Sequence, residues 1–284
     1  MYSAFMRTWF LFLMLWHVWL LEAVAGPADE STKPGAFEER DVQFTQAAPY
    51  WDATNLVRHF GFRVDMPEYS ITNESFRLLV PLANSTRESR GLLVWISAGD
   101  EPIIPADWEA ELENHGMLFV SAHHSGNLRH PLDRFRLALD ATCNMCRQYK
   151  VDRRRIYIAG FSGGARIASM LGVAYADVFT GTLCICGVNF YKDVLVEKGR
   201  YYPATFAPDS SVLLSGKQNS RYVLITGEHD ENRENTQSTF SAFKREGFRQ
   251  VVCFEVPGMR HAMPPGKTLG AALDYLRHTQ VSVR

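Results

Sequence analysis

The sequence predicts an α/β fold: a mostly parallel central sheet flanked by helices, in a single domain. Three observations predict it. Short apolar runs such as Leu92 to Ile96, Ile156 to Ala159 and Met117 to Ala122 read as strands buried on both faces. Amphipathic helical stretches alternate with such runs along the chain. Between Arg155 and Gly172, RIYIAGFSGGARIASMLG joins a strand to a helix through a glycine-bounded turn with almost no loop.

Taken in order, the first residues are a predicted leader. Arg7 supplies a positive start, Trp9 to Leu21 is apolar, and Ala23-Val24-Ala25 matches a small-residue cleavage pattern. The expectation is a signal peptide over 1–25, cut after Ala25, and hence a secreted or periplasmic protein. No stable membrane insertion is expected after cleavage; an uncleaved N-terminal anchor is the alternative. Residues 26–59 begin polar and irregular, with Pro34-Gly35, and read as a linker or arm. The folded domain is expected over 60–284.

Within that domain, Ser75 to Leu82 reads as an early strand and Leu92 to Ile96 as the next, broken by Ser97-Ala98-Gly99-Asp100. Pro105 and Asp107 open a helix around Trp108 and Leu112 that Gly116 ends. Met117 to Ala122 is a strand, followed by the loop His123 to Asn127. Leu132 to Tyr149 is a long amphipathic helix. The strand, turn and helix of 155–172 come next. Gly181 to Val188 is another strand, and Tyr191 to Asn219 is an excursion without clear period. Tyr222 to Thr226 is a strand, Thr236 to Glu246 a helix closed by Gly247, Val251 to Val256 the last strand, and Thr268 to His278 the last helix.

Composition excludes some functions. The 284 residues carry 46% hydrophobic content, enough for one large domain or two small ones, and a net charge of −1. That balance gives no global field for nucleic acid or anionic membranes. Arg153-Arg154-Arg155 reads as a solvated basic turn, not a phosphate site. Of the five cysteines, Cys143 and Cys146 form a C-x-x-C late in a helix, where a redox role is poorly placed. No matching second pair supports zinc. Cys184 and Cys186 alternate in an apolar strand and read as core residues on one side of it. No cofactor and no metal are expected.

The chemistry sits in Gly160-Phe161-Ser162-Gly163-Gly164, a G-x-S-x-G match between a strand and a helix. A turn this sharp strains its central residue and exposes the side chain. Side chains in place of Gly160 and Gly164 would collide. Ser162 then stands at a helix N-terminus, and the Gly163 N–H is placed to receive an oxyanion. In an open parallel sheet, the loops after the strands collect at one edge, where ligands bind. Ser162, Asp230 and His261 each follow a predicted strand, so topology converges a nucleophile, an acid and a base. Glu228 is a rival acid two residues before Asp230. His123, His124 and Asn127, and Asn189 after the next strand, reach the same edge as candidate substrate contacts.

The order Ser162, Asp230, His261 in these contexts resembles the α/β-hydrolase fold, from about Phe60 to the C-terminus. Within that fold, GFSGG, TGEHD and VPGMRH are similar to segments of exported serine esterases of the polyhydroxybutyrate-depolymerase-like and feruloyl- or acetylxylan-esterase-like kinds. The resemblance implies a Ser-His-Asp triad, an acyl-serine intermediate and a small-molecule or oligomeric ester substrate. It also implies a second oxyanion donor after the Leu92–Ile96 strand, at the N–H of Ala98 or Gly99. The chain departs from the family there: Ser97-Ala98-Gly99-Asp100 replaces an H-G-G-G run, which brings Asp100 and Glu101 near the mouth. A serine peptidase of the same fold and a non-catalytic binding protein are the alternatives.

Overall fold

The computed structural model describes residues 37–49, 51–63, 68–82, 89–196 and 199–277. The predicted leader lies outside them. All of them belong to one compact unit, Gly35–Arg284.

An eight-stranded sheet forms the centre, in the order β1-β2-β4-β3-β5-β6-β9-β10. Its strands are β1 (Phe37–Val42), β2 (Phe76–Pro81), β3 (Arg90–Ile96), β4 (Met117–Ala122), β5 (Val151–Phe161), β6 (Gly181–Ile185), β9 (Arg221–Gly227) and β10 (Val251–Val256). From β4 to β10 all pairings are parallel, while β2 runs antiparallel to both β1 and β4. A separate antiparallel hairpin, β7 (Val194–Leu195) with β8 (Tyr201–Tyr202), lies in the excursion after β6.

Strand alternation divides the core. Leu92, Val94 and Ile96 face one side, with Leu118, Val120, Ile156 and Ile158. Leu93 and Trp95 face the other, with Phe119, Tyr157, Leu183 and Val223. The first side is covered by α1 (Ala53–Phe60), α3 (Pro131–Gln148), α4 (Gly163–Ala174) and α6 (Arg233–Arg245). The second is covered by α2 (Ala106–Asn114) and α7 (Gly266–Arg277). Each fully buried leucine among them contributes roughly 1.5–3 kcal/mol over leaving it in water. Apolar runs without polar alternation follow from this two-sided burial.

Two stretches differ from expectation. The stretch read as a linker or arm carries β1 and α1. In β1, FEERDV, four of six residues are exposed, so no apolar pattern announces it. Its pairing to β2 is reinforced by Arg77, whose guanidinium donates to both Asp41 carboxylate oxygens at 3.0 and 3.1 Å. In α1, Asp52 accepts the Asn55 N–H as N-cap and Gly61 closes the helix at φ 72°. The excursion 191–219 ends in a helix, α5 (Ser210–Asn219), which buries only Val212 and Gly216. So thin an apolar face leaves little helical period to read.

Candidate active site

The C-terminal edge of the parallel strands carries the site. β5 ends at Phe161 and α4 begins at Gly163, so Ser162 alone makes the turn, at φ 54° and ψ −118°. That is strained backbone for a residue with a Cβ. Its N–H is held by the Ile185 carbonyl at 2.8 Å. A side chain at Gly160 would strike the Gly164 backbone, and one at Gly164 would strike the Ile96 carbonyl. The second glycine is therefore demanded by the neighbouring strand β3 as much as by the turn itself.

Three side chains meet. His261 Nε2 lies 2.9 Å from Ser162 Oγ, and His261 Nδ1 lies 2.8 Å from Asp230 Oδ1. The hydrogen-bond pattern assigns the proton to Nδ1, which donates to the carboxylate and leaves Nε2 to accept from the hydroxyl. The Asp230 side chain is fully buried, and that of His261 is about one-quarter exposed, at 24%. Burial opposes ionisation of Asp230. Hydrogen bonds from His261, the Asn232 N–H, Thr226 and Cys186 outweigh it and hold the carboxyl below the usual carboxylate range.

The loops that carry these groups are tied together. The His229 N–H donates to the Met259 carbonyl at 2.9 Å. Gly227 is required because a side chain there would strike the Met259 and Arg260 carbonyls. Trp108 Nε1 of α2 donates to the Pro264 carbonyl at 2.9 Å, just past His261. The rival acid, Glu228, turns away and accepts the Gly258 N–H at 2.8 Å.

The oxyanion candidates separate. Gly163 opens α4, so its N–H has no carbonyl one turn earlier to bond. The Gly99 N–H is committed to Ser97 Oγ at 3.1 Å, which leaves Ala98 as the better second donor. Behind this loop, Arg134 is buried and donates to the Ser97 carbonyl at 2.8 Å. Burial pulls its pKa down to about 10. Asp100 and Glu101 are turned toward the loop after β4. Asp100 packs where a Gly126 side chain would sit, and Glu101 meets His123 at 3.1 Å.

The substrate candidates also separate. Both ring nitrogens of His123 are occupied, by Asp41 at 2.9 Å and Glu101 at 3.1 Å. This buried histidine ties β1 to the loop after β3. His124 is exposed, at φ 49°. Asn127 is exposed and its amide lies against Gly163, filling the space a side chain there would take. Asn189 is knitted into α4: its backbone N–H donates to Ser169 Oγ at 2.9 Å, and its side-chain Oδ1 accepts from Arg166 at 3.4 Å.

Several residues at the edge escaped the sequence reading. Arg166, one turn after Ser162, donates to Asn232 Oδ1 at 3.1 Å, and Asn232 Nδ2 donates to the Cys186 carbonyl at 3.0 Å. This chain braces the Asp230 loop. Arg233, which could have anchored that loop, instead pairs with Glu255 of β10. Cys184 and Cys186 fall on opposite sides of the sheet, contrary to the alternation read from sequence. β6 ends at Ile185 and Cys186 takes φ 54°, which turns its thiol toward Asp230. Burial, then the Asp230 charge, push this thiol up to about 12, so it stays protonated. Cys186, Asp230 and His261 set their ligand atoms within 4.8 Å of one another. A protonated thiol and an imidazole committed at both nitrogens are poor metal ligands. All five cysteines are free thiols.

No family model and no curated protein sequence matches the chain. Solved structures do. A ferulic acid esterase aligns over 84% of this chain and 98% of its own, with a TM-score of 0.57 and 13% identity. The feruloyl esterase module from Clostridium thermocellum aligns over 85% and 88%, with a TM-score of 0.55 and 12% identity. The chain spans only 33% of a Bacteroides ovatus protein described as a dipeptidyl aminopeptidase IV, over 71% of its own length, at a TM-score of 0.49 and 14% identity. The sheet order, the strained serine turn and the two esterase likenesses together define the α/β-hydrolase fold.

Proposed function

We propose that the protein is an exported serine hydrolase that cleaves carboxylic esters through an acyl-Ser162 intermediate. One observation carries this reading: Ser162 Oγ, the His261 imidazole and the Asp230 carboxylate form an unbroken hydrogen-bonded line. In the first step Ser162 Oγ attacks the ester carbonyl carbon while His261 Nε2 takes the hydroxyl proton. The negative charge that develops on the carbonyl oxygen is received by the N–H groups of Gly163 and Ala98. Collapse breaks the bond to the alkoxy oxygen, and His261 returns the proton to the departing alcohol. Water, deprotonated by the same imidazole, then releases the acid and restores Ser162. Asp230 holds the ring in one tautomer and stabilises the imidazolium.

The esterase likenesses support an ester in preference to an amide. Asn127 and His124 are the exposed polar groups best placed to contact substrate. Among the described residues no helix is long and apolar enough to cross a membrane. Export rests on the leader over 1–25. The test is labelling with a fluorophosphonate. Folded protein should be modified stoichiometrically at Ser162, and an unlabelled Ser162 would overturn the reading. Hydrolysis of nitrophenyl acyl esters but not of aminoacyl anilides separates esterase from peptidase.

A further inference from the structure

The opposite edge of the sheet, where β5, β6 and β9 begin, holds a half-open groove of about 560 Å³. Five arginines line it, Arg153, Arg154, Arg155, Arg221 and Arg277, against one carboxylate, Asp152. The chain as a whole carries −1, so positive charge is concentrated here and not spread evenly. Among the described residues, only Arg154 of the five has a carboxylate within ion-pair distance, Asp152 at 3.2 Å. Arg155 donates to the His115 carbonyl, and its buried Nε has no hydrogen-bond partner. Arg221 donates to the Tyr275 carbonyl at 3.2 Å and lies over the Tyr275 ring at 5.7 Å. Both guanidiniums are thus held in place by neutral groups, with donor capacity left over.

Like charges set close together disfavour the compact state unless something neutralises them. Guanidinium is the group that matches tetrahedral oxyanions by paired N–H donors, and no lysine takes part in the lining. The volume is that of a small-molecule site, and no aromatic ring lines it to stack a base. The lining also includes the amides of Gln218, Asn219 and Gln250. Amides donate and accept, which suits hydroxyl groups. The side-chain Oε1 of Gln250 is buried without a hydrogen-bond partner among the described residues.

We propose that this groove binds a sugar-like polyol bearing two or more sulfate or phosphate groups, with the arginines on the oxyanions and the amides on the hydroxyls. The site is separate from Ser162, and its occupancy does not depend on ester hydrolysis.

Titration calorimetry of the full chain at two salt concentrations tests this. The probes are a heparin-derived tetrasaccharide, its desulfated counterpart, inositol hexakisphosphate and inorganic tripolyphosphate. Saturable one-site binding of the sulfated tetrasaccharide or of inositol hexakisphosphate is expected, weakening with salt. Which of the two binds tells sulfate from phosphate as the source. Arg153 and Arg277 are exposed, so R153Q/R277Q should fold and melt as the native chain does. It should bind at least about tenfold more weakly, since two charge-assisted contacts are removed. Three results would overturn the proposal: no saturable binding of either charged polyol, equal binding of the desulfated tetrasaccharide, or unchanged binding by R153Q/R277Q. Tripolyphosphate binding as tightly as the better polyol would overturn the sugar assignment.

Discussion

The two ends of one sheet are built in opposite ways. At the C-terminal edge, the carboxylates of Asp230, Asp41 and Glu101 are paired, Asp230 with His261 and the other two with His123. At the N-terminal edge, four of five groove arginines have no carboxylate within ion-pair distance among the described residues. Strain is distributed the other way. The non-glycine residues with positive φ among the described ones are His124, Ser162 and Cys186, and they follow β4, β5 and β6 at the C-terminal edge. A parallel sheet delivers loops and a helix N-terminus to one end, where backbone can be bent around a reacting atom. Its other end offers strand starts, where long side chains fan out but little backbone is free to position a reaction. Chemistry that needs fixed dipoles suits the first, and charge-driven binding suits the second.

That contrast breaks most sharply at Ser162. S162A should lower ester turnover by about a million-fold, and D230N by about 10⁴-fold, read as kcat with a nitrophenyl ester. R153Q/R277Q should leave the same kcat unchanged. A loss of turnover in the groove variant, or its retention in S162A, would mean that the two edges do not divide the work in this way.

Arg134 gives a subtler test, because it is a cation behind the candidate site with no carboxylate within ion-pair distance among the described residues. It holds the Ser97 carbonyl, and so the peptide that presents the Ala98 N–H. R134M keeps the volume and removes the buried charge. Exchange of a buried ion for a packed apolar group is often neutral or stabilising. The melting temperature should therefore hold or rise, while kcat falls about tenfold with little change in KM, as the loss of one charge-assisted bond implies. A loss of stability, with KM rising alongside the fall in kcat, would make Arg134 a structural residue only.

The candidate site was legible as a placement because its signals are local or ordinal. Gly160 to Gly164 declare a strand, a turn and a helix, and the order of Ser162, Asp230 and His261 follows from which residues end strands. What escaped depends on contacts that no period encodes. His123 looked free for substrate, yet its partners stand 82 and 22 residues away in sequence. Gly99 looked like an oxyanion donor until Ser97 Oγ was seen to take its N–H. Arg166 and Asn232 brace the acid loop through side-chain bonds from Arg166 to Asn232 and from Asn232 to the Cys186 carbonyl. The run Arg153 to Arg155 read as a solvated turn. It belongs to β5, and only the approach of α5, α7 and β9 makes a groove of it.

The smallest effect concerns pH and belongs to the paired side of the contrast. Asp41 accepts from Arg77 and His123, and these bonds outweigh partial burial and hold its carboxyl at about 2, down from 3.8. A carboxyl lowered in the folded state stabilises it fully above its unfolded pKa and loses that contribution as pH falls through the folded one. The window is therefore from 3.8 down to about 2. Half the side chain is exposed, so solvent screening limits the contribution to under about 1 kcal/mol. D41N should be less stable than the native chain at pH 7 by that amount in urea denaturation, and the gap should close toward pH 2. R153Q/R277Q leaves the Asp41 pairing in place, so it should show no such closing. A D41N deficit that persisted at pH 2 would mean that Asp41 acts through shape, not charge, and that pairing at this edge contributes less than its geometry implies.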